Sequence, residues 1–160
     1  MSTQPPAIAP SDRLVVVGIG STLRGDDAVG LELVRRLDDD DERLLVVEGG
    51  VAPENYTGVV RQFDPDWIVL VDAVAFGAEP GVGTWVDPDD LGGESFSSHK
   101  STPAMLRTFL ERETGADVAL FGVQPADIDM SDGLSAAVEA RLDDLVADLR
   151  EALARERGRS

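Results

Sequence analysis

Gly18-Ile19-Gly20-Ser21-Thr22-Leu23-Arg24-Gly25-Asp26-Asp27-Ala28-Val29-Gly30 follows the apolar run Leu14-Val15-Val16-Val17 and leads into Leu33 and Leu37. The run has the length and β-branched content of a buried strand. Val29, Leu33 and Leu37 are spaced along one face of a helix. A strand, a glycine-rich turn and a helix therefore meet here, and in an open α/β sheet such a junction lies at the carboxyl edge, where ligands bind. The junction does not suit a dinucleotide. Leu23 stands where G-x-G-x-x-G needs its third glycine. Asp26 and Asp27 put carboxylates where a pyrophosphate would exploit the positive end of the helix dipole. One aspartate is enough to cap a helix, a role open to Asp26; the second points to a cation.

The 160 residues suit one domain with a proper core. Residues 13–155 are read as that domain, with 1–12 and 156–160 as flexible tails. The Pro-rich start has neither the basic nor the apolar region of a secretory signal, and no apolar run approaches the ~20 residues that span a bilayer. A cytoplasmic location and no membrane insertion are expected. With no cysteine, any metal site must use carboxylate or imidazole.

Asp and Glu number 31 against 14 Lys and Arg, a formal net charge of −17, and Lys100 is the sole lysine. This charge disfavours nucleic acid and anionic membranes as partners. Self-repulsion on this scale strains a small domain in dilute buffer, whereas at molar salt the Debye length shrinks to roughly 3 Å. The pattern is that of a high-salt cytoplasm, as in halophilic archaea. The melting temperature should therefore rise between dilute buffer and molar KCl, by at least about 5 °C. Circular dichroism across a salt series checks this, and a flat series would refute it.

Further along, Asp38-Asp39-Asp40-Asp41-Glu42 reads as a solvated loop. Leu44–Val47 reads as a second strand ending at Glu48-Gly49-Gly50, and Pro53-Glu54-Asn55 as a helix start, with Val59, Val60 and Phe63 as its apolar face. Trp67–Val71 is a third strand ending in Asp72. Gly81–Val86, bounded by prolines, fits an edge strand. A Gly/Ser-rich loop, Gly92 to Ser98, leads to His99. Ser101-Thr102-Pro103 opens a helix through Met105, Leu106, Phe109 and Leu110 that stops at Gly115. Val118–Phe121 is the last strand, and one long helix closes the chain on Leu134, Val138, Leu142, Leu145, Leu149 and Leu153. Strands alternating with helices predict a mostly parallel sheet covered on both faces.

Asp27, Asp72 and His99 each follow a strand or precede a helix. If the first and third strands are neighbours, their carboxyl ends bring the two aspartates together, and His99 can enter from its loop. Two carboxylates and an imidazole suit Ni²⁺ or Zn²⁺ with positions left open. The ordinary alternatives are a surface histidine and aspartates that only begin turns.

Five blocks in order resemble one family. They are Gly18-Ile19-Gly20-x-x-Leu23-x-Gly25-Asp26-Asp27-x-x-Gly30, Glu48-Gly49-Gly50-x-Ala52-Pro53-Glu54-Asn55, Ile68-Val69-Leu70-Val71-Asp72-Ala73, Ser98-His99 and Gly122-Val123-Gln124-Pro125. They are similar to those of the NiFe-hydrogenase maturation endopeptidases, from about Leu14 to Leu149. Ser21, Ala28, Glu48 and Lys100 depart from the family pattern, but none is a ligand position. The resemblance implies a three-layer α/β/α fold of the phosphorylase/hydrolase-like type. Its mixed, mostly parallel five-stranded sheet has one antiparallel strand, for which Gly81–Val86 is the candidate. It implies an endopeptidase that removes a C-terminal extension from the hydrogenase large-subunit precursor after nickel insertion. The nickel arrives with the precursor, other divalent metals can replace it in vitro, and the ligands and catalytic residues fall on Asp27, Asp72 and His99.

Cysteine proteolysis is excluded by composition, and a serine relay would need the sole histidine. An aspartic-protease pair of Asp27 and Asp72 leaves His99 without a role. Metal-assisted hydrolysis uses all three. The runner-up function is a non-catalytic nickel-sensing module that docks on the precursor.

Overall fold

The apolar runs form five strands: β1 (Leu14–Ile19), β2 (Leu44–Gly50), β3 (Trp67–Ala73), β4 (Gly83–Val86) and β5 (Asp117–Val123). The helices are α1 (Val29–Arg35), α2 (Thr57–Phe63), α3 (Pro103–Thr114), α4 (Ala136–Glu139) and α5 (Leu142–Ala152). This computed structural model describes residues 4–37, 41–91, 102–126 and 133–154. The acidic run at 38–40, the Gly/Ser-rich loop and the chain ends lie outside them. Among the described residues no helix is long and apolar enough to cross a membrane.

The sheet order is β2-β1-β3-β5-β4. β1 pairs in parallel with both β2 and β3, and β3 in parallel with β5. β4 lies at the edge, antiparallel to β5, with Gly83 opposite Val123 and Val86 opposite Leu120. The expected mixed sheet with one antiparallel edge strand is thus present. The chain leaves β1 for β2 on one side and returns to β3 on the other. The crevice between the carboxyl ends of β1 and β3 is therefore a topological switch point.

Alternation along each strand supplies two apolar layers. On one face Leu14, Val16, Val69 and Val71 pack with Leu33 and Val34 of α1, Val138 of α4, and Leu142, Leu145 and Leu149 of α5. On the other, Val15, Val17, Ile68 and Leu70 pack with Val60 of α2 and with Leu106 and Leu110 of α3. Each fully buried aliphatic side chain contributes roughly 1.5–3 kcal/mol, so the two layers dominate stability.

Local signals hold at α3. Thr102 caps it, accepting from Met105 N–H at 3.1 Å, and Gly115 ends it in the left-handed region at φ 78°. Arg107 ties its middle to Asp87 (3.3 Å) and Asp89 (2.8 Å). The hydrogen bond to Asp89 leads in raising that guanidinium above its usual value.

Three expectations need correction. The closing helix is broken at Ala140–Arg141, where Arg141 N–H donates three residues back to Val138 O (3.0 Å) and tightens the turn. Val138 before the break and Leu142, Leu145, Leu149 and Leu153 after it are nonetheless buried, whereas Leu134 is half-buried ahead of α4. Met105, Phe109 and Val59, expected on buried helix faces, are 61%, 41% and 48% exposed. Each precedes a buried residue (Leu106, Leu110, Val60) and is rotated about 100° from it, off the sheet. Finally, β3 runs past Asp72 to Ala73, so Asp72 lies inside the strand rather than beyond it.

Candidate active site

Between β1 and α1 the chain makes a 3-10 turn, Gly25–Ala28, whose four residues are all buried, the two aspartates included. It packs against β3, so it sits over the switch point. Gly25 enters it at φ 55°, in the left-handed region that favours glycine. Two glycines fix its position. At Gly30 an added Cβ would lie 2.2 Å from Val71 O and 2.6 Å from Ile19 O, so the start of α1 is wedged between the ends of β3 and β1. At Gly20, φ is +134° and a Cβ would fall 1.8 Å from the Asp27 carbonyl oxygen. Gly20 N–H also donates to Gly50 O at 2.9 Å, pinning the loop to the end of β2.

Asp27 is fully buried, and its Oδ2 accepts from Ser21 N–H at 3.0 Å. Asp72 is 1% exposed, and its Oδ1 accepts from Ala73 N–H at 2.8 Å. It shares strand parity with Ile68 and Leu70, whose face carries α3. Asp72 therefore lies near the carboxyl end of β3, and Asp27 on the 3-10 turn that packs against β3. His99 lies outside the described residues. Among those described, no group of three or more His, Cys, Asp or Glu side chains is placed to hold a metal. Burying carboxylates costs several kcal/mol unless charge or hydrogen bonds compensate.

Asp26 has a different job from its neighbour, and it does not cap its own helix. Its Oδ1 accepts from Ser135 N–H (2.7 Å), and its Oδ2 from Ala126 N–H (2.7 Å) and the Ser135 hydroxyl (2.8 Å). Sequence reasoning also missed Gln124. Its Oε1 accepts from Phe76 N–H (2.8 Å) and Ala78 N–H (3.3 Å), holding the chain that leaves β3 just beyond Asp72. The available signal was its place in the block that ends β5. Glu54, on the 3-10 turn after β2, keeps Oε2 buried with no hydrogen-bond partner among the described residues.

Residues 28–152 match the hydrogenase maturation protease family model, HycI. The hydrogenase 3 maturation protease of Escherichia coli is 32% identical over 114 residues, 69% of this chain and 72% of that protein. The crystal structure of a NiFe-hydrogenase maturation protease, HycI, from Thermococcus kodakarensis superimposes with a TM-score of 0.79. It is 32% identical and covers 92% of this chain and 96% of its own. The hydrogenase maturating endopeptidase HybD of E. coli gives a TM-score of 0.73 at 27% identity, over 89% of this chain and 92% of that one. The order of strands, the switch-point acids and these likenesses agree: the chain belongs to the hydrogenase maturation protease family.

Proposed function

We propose that this protein is an endopeptidase that removes the C-terminal extension of a NiFe-hydrogenase large-subunit precursor once nickel has been inserted. Asp27, Asp72 and His99 recognise the nickel that the precursor carries. The observation that carries this reading is the pair of buried aspartates at the β1/β3 switch point. A buried site with few fixed donors binds weakly by itself and gains energy when the partner brings an ion with its own ligands. Carboxylate and imidazole suit a borderline divalent ion.

The chain's own contribution is positioning. Ser21 N–H holds one oxygen of Asp27, and Ala73 N–H one oxygen of Asp72, so neither carboxylate has to reorganise as substrate arrives. The bound ion would polarise the scissile carbonyl or acidify a water. The reaction takes place in the cytoplasm at high salt, in keeping with the net charge of −17.

The test mixes the protein with its precursor at molar KCl, with and without nickel loaded, and follows large-subunit length by mass spectrometry. Shortening of the loaded precursor alone is expected. Equal cutting of nickel-free precursor would overturn nickel-dependent recognition. A stable complex with loaded precursor and no cutting would favour the non-catalytic docking module.

A further inference from the structure

Asp26 is fully buried and ties its turn to two remote parts of the chain. Its carboxylate collects the N–H of Ala126 just after β5, and the N–H and hydroxyl of Ser135 at the start of α4, across sequence separations of 100 and 109 residues. Ser135 is itself the N-cap of α4, its hydroxyl accepting from Val138 N–H at 3.3 Å. These three groups act as donors. A carboxylate offers acceptor lone pairs at both oxygens to meet them. An asparagine must turn an NH₂ toward at least one of them.

We propose that Asp26 is a positioning residue for Asp27. It anchors the 3-10 turn from the β5/α4 side, while Ser21 N–H holds the Asp27 carboxylate from the glycine-loop side. The intervening peptide is thereby fixed, and with it the direction in which Asp27 faces the crevice. This rests on Asp27 belonging to the active site, as proposed above. Losing the anchor removes no crevice side chain but lets the turn, and Asp27 with it, shift. Displacing a reacting group by about 1 Å costs on the order of 100-fold in rate.

The experiment measures precursor cleavage by Asp26→Ala, Asp26→Asn, Ser135→Ala and Ser135→Thr, with Asp27→Asn as reference and at a temperature where circular dichroism shows each variant folded. Native-state hydrogen exchange at Ser21 N–H and at β3 amides is read in parallel. For Asp26→Ala, kcat should fall on the order of 100-fold with KM within about threefold. Ser21 N–H should lose protection beyond any loss in β3. Asp26→Asn and Ser135→Ala should fall between this and wild type, and Ser135→Thr, which keeps the hydroxyl, should restore turnover. If Asp26→Ala does not fold, Asp26→Asn and Ser135→Ala carry the same two readouts. Protection falling equally at Ser21 and β3 with unchanged kcat would reduce Asp26 to a stabilising contact and overturn the proposal. Full activity in Asp27→Asn would instead overturn the site reading on which it rests.

Discussion

Asp27→Asn, Asp72→Asn and His99→Ala are each expected to lower processing of nickel-loaded precursor by about 10³-fold, or about 4 kcal/mol of transition-state stabilisation. For the two aspartates, stability should not follow activity. An asparagine oxygen can still accept from Ser21 N–H or Ala73 N–H, the bonds that hold the carboxylates now. Neutralising a buried carboxylate also removes its desolvation cost. The melting temperature of either variant should therefore match or exceed that of wild type. Cleavage assays paired with thermal melts check this. Wild-type turnover in two of the three variants would refute the site assignment, and a melt lowered in step with activity would make the aspartates structural.

Gly30→Ala should strongly destabilise the fold. Its Cβ would meet two backbone oxygens, Val71 O at 2.2 Å and Ile19 O at 2.6 Å, and neither can rotate away as a side-chain tip would. Relief requires lifting the start of α1 off both strands at the switch point. The expected loss is about 3 kcal/mol or more, a large share of the roughly 5–15 kcal/mol that holds a domain together. Gly58, in α2, is the matched control, because nothing lies within 4 Å of a Cβ there. Gly58→Ala should be neutral or stabilising by about 0.4–1 kcal/mol. Urea unfolding of the two variants compares them directly. Equal midpoints would show that α1 is not wedged between the strands.

The division of labour at Asp26 and Asp27 bears on how family blocks are read. Adjacent and identical in type, the two residues look interchangeable as ligands. The fold turns one toward Ala126 and Ser135 and leaves the other over the crevice beside β3. Successive residues of a tight turn project in different directions, so adjacent acids of one motif can face different parts of the chain.

The sequence by itself determined the strands, an edge strand at Gly81–Val86 (observed as Gly83–Val86), the opening of a helix at Ser101-Thr102-Pro103, its stop at Gly115 and the alternation of strand and helix. Each of these follows from local chemistry: β-branched apolar runs, a hydroxyl before Pro103, a glycine free to take positive φ. It also singled out Asp27 and Asp72 as acids that follow apolar runs. Only the tertiary structure decided that β1 and β3 are neighbours and that their carboxyl ends form the switch point. The same holds for the burial of Leu106 rather than Met105, and for the anchoring of Asp26 by donors more than 100 residues away. These depend on contacts between distant segments, and hydrophobic periodicity encodes which face of an element is buried, not which partner it is buried against.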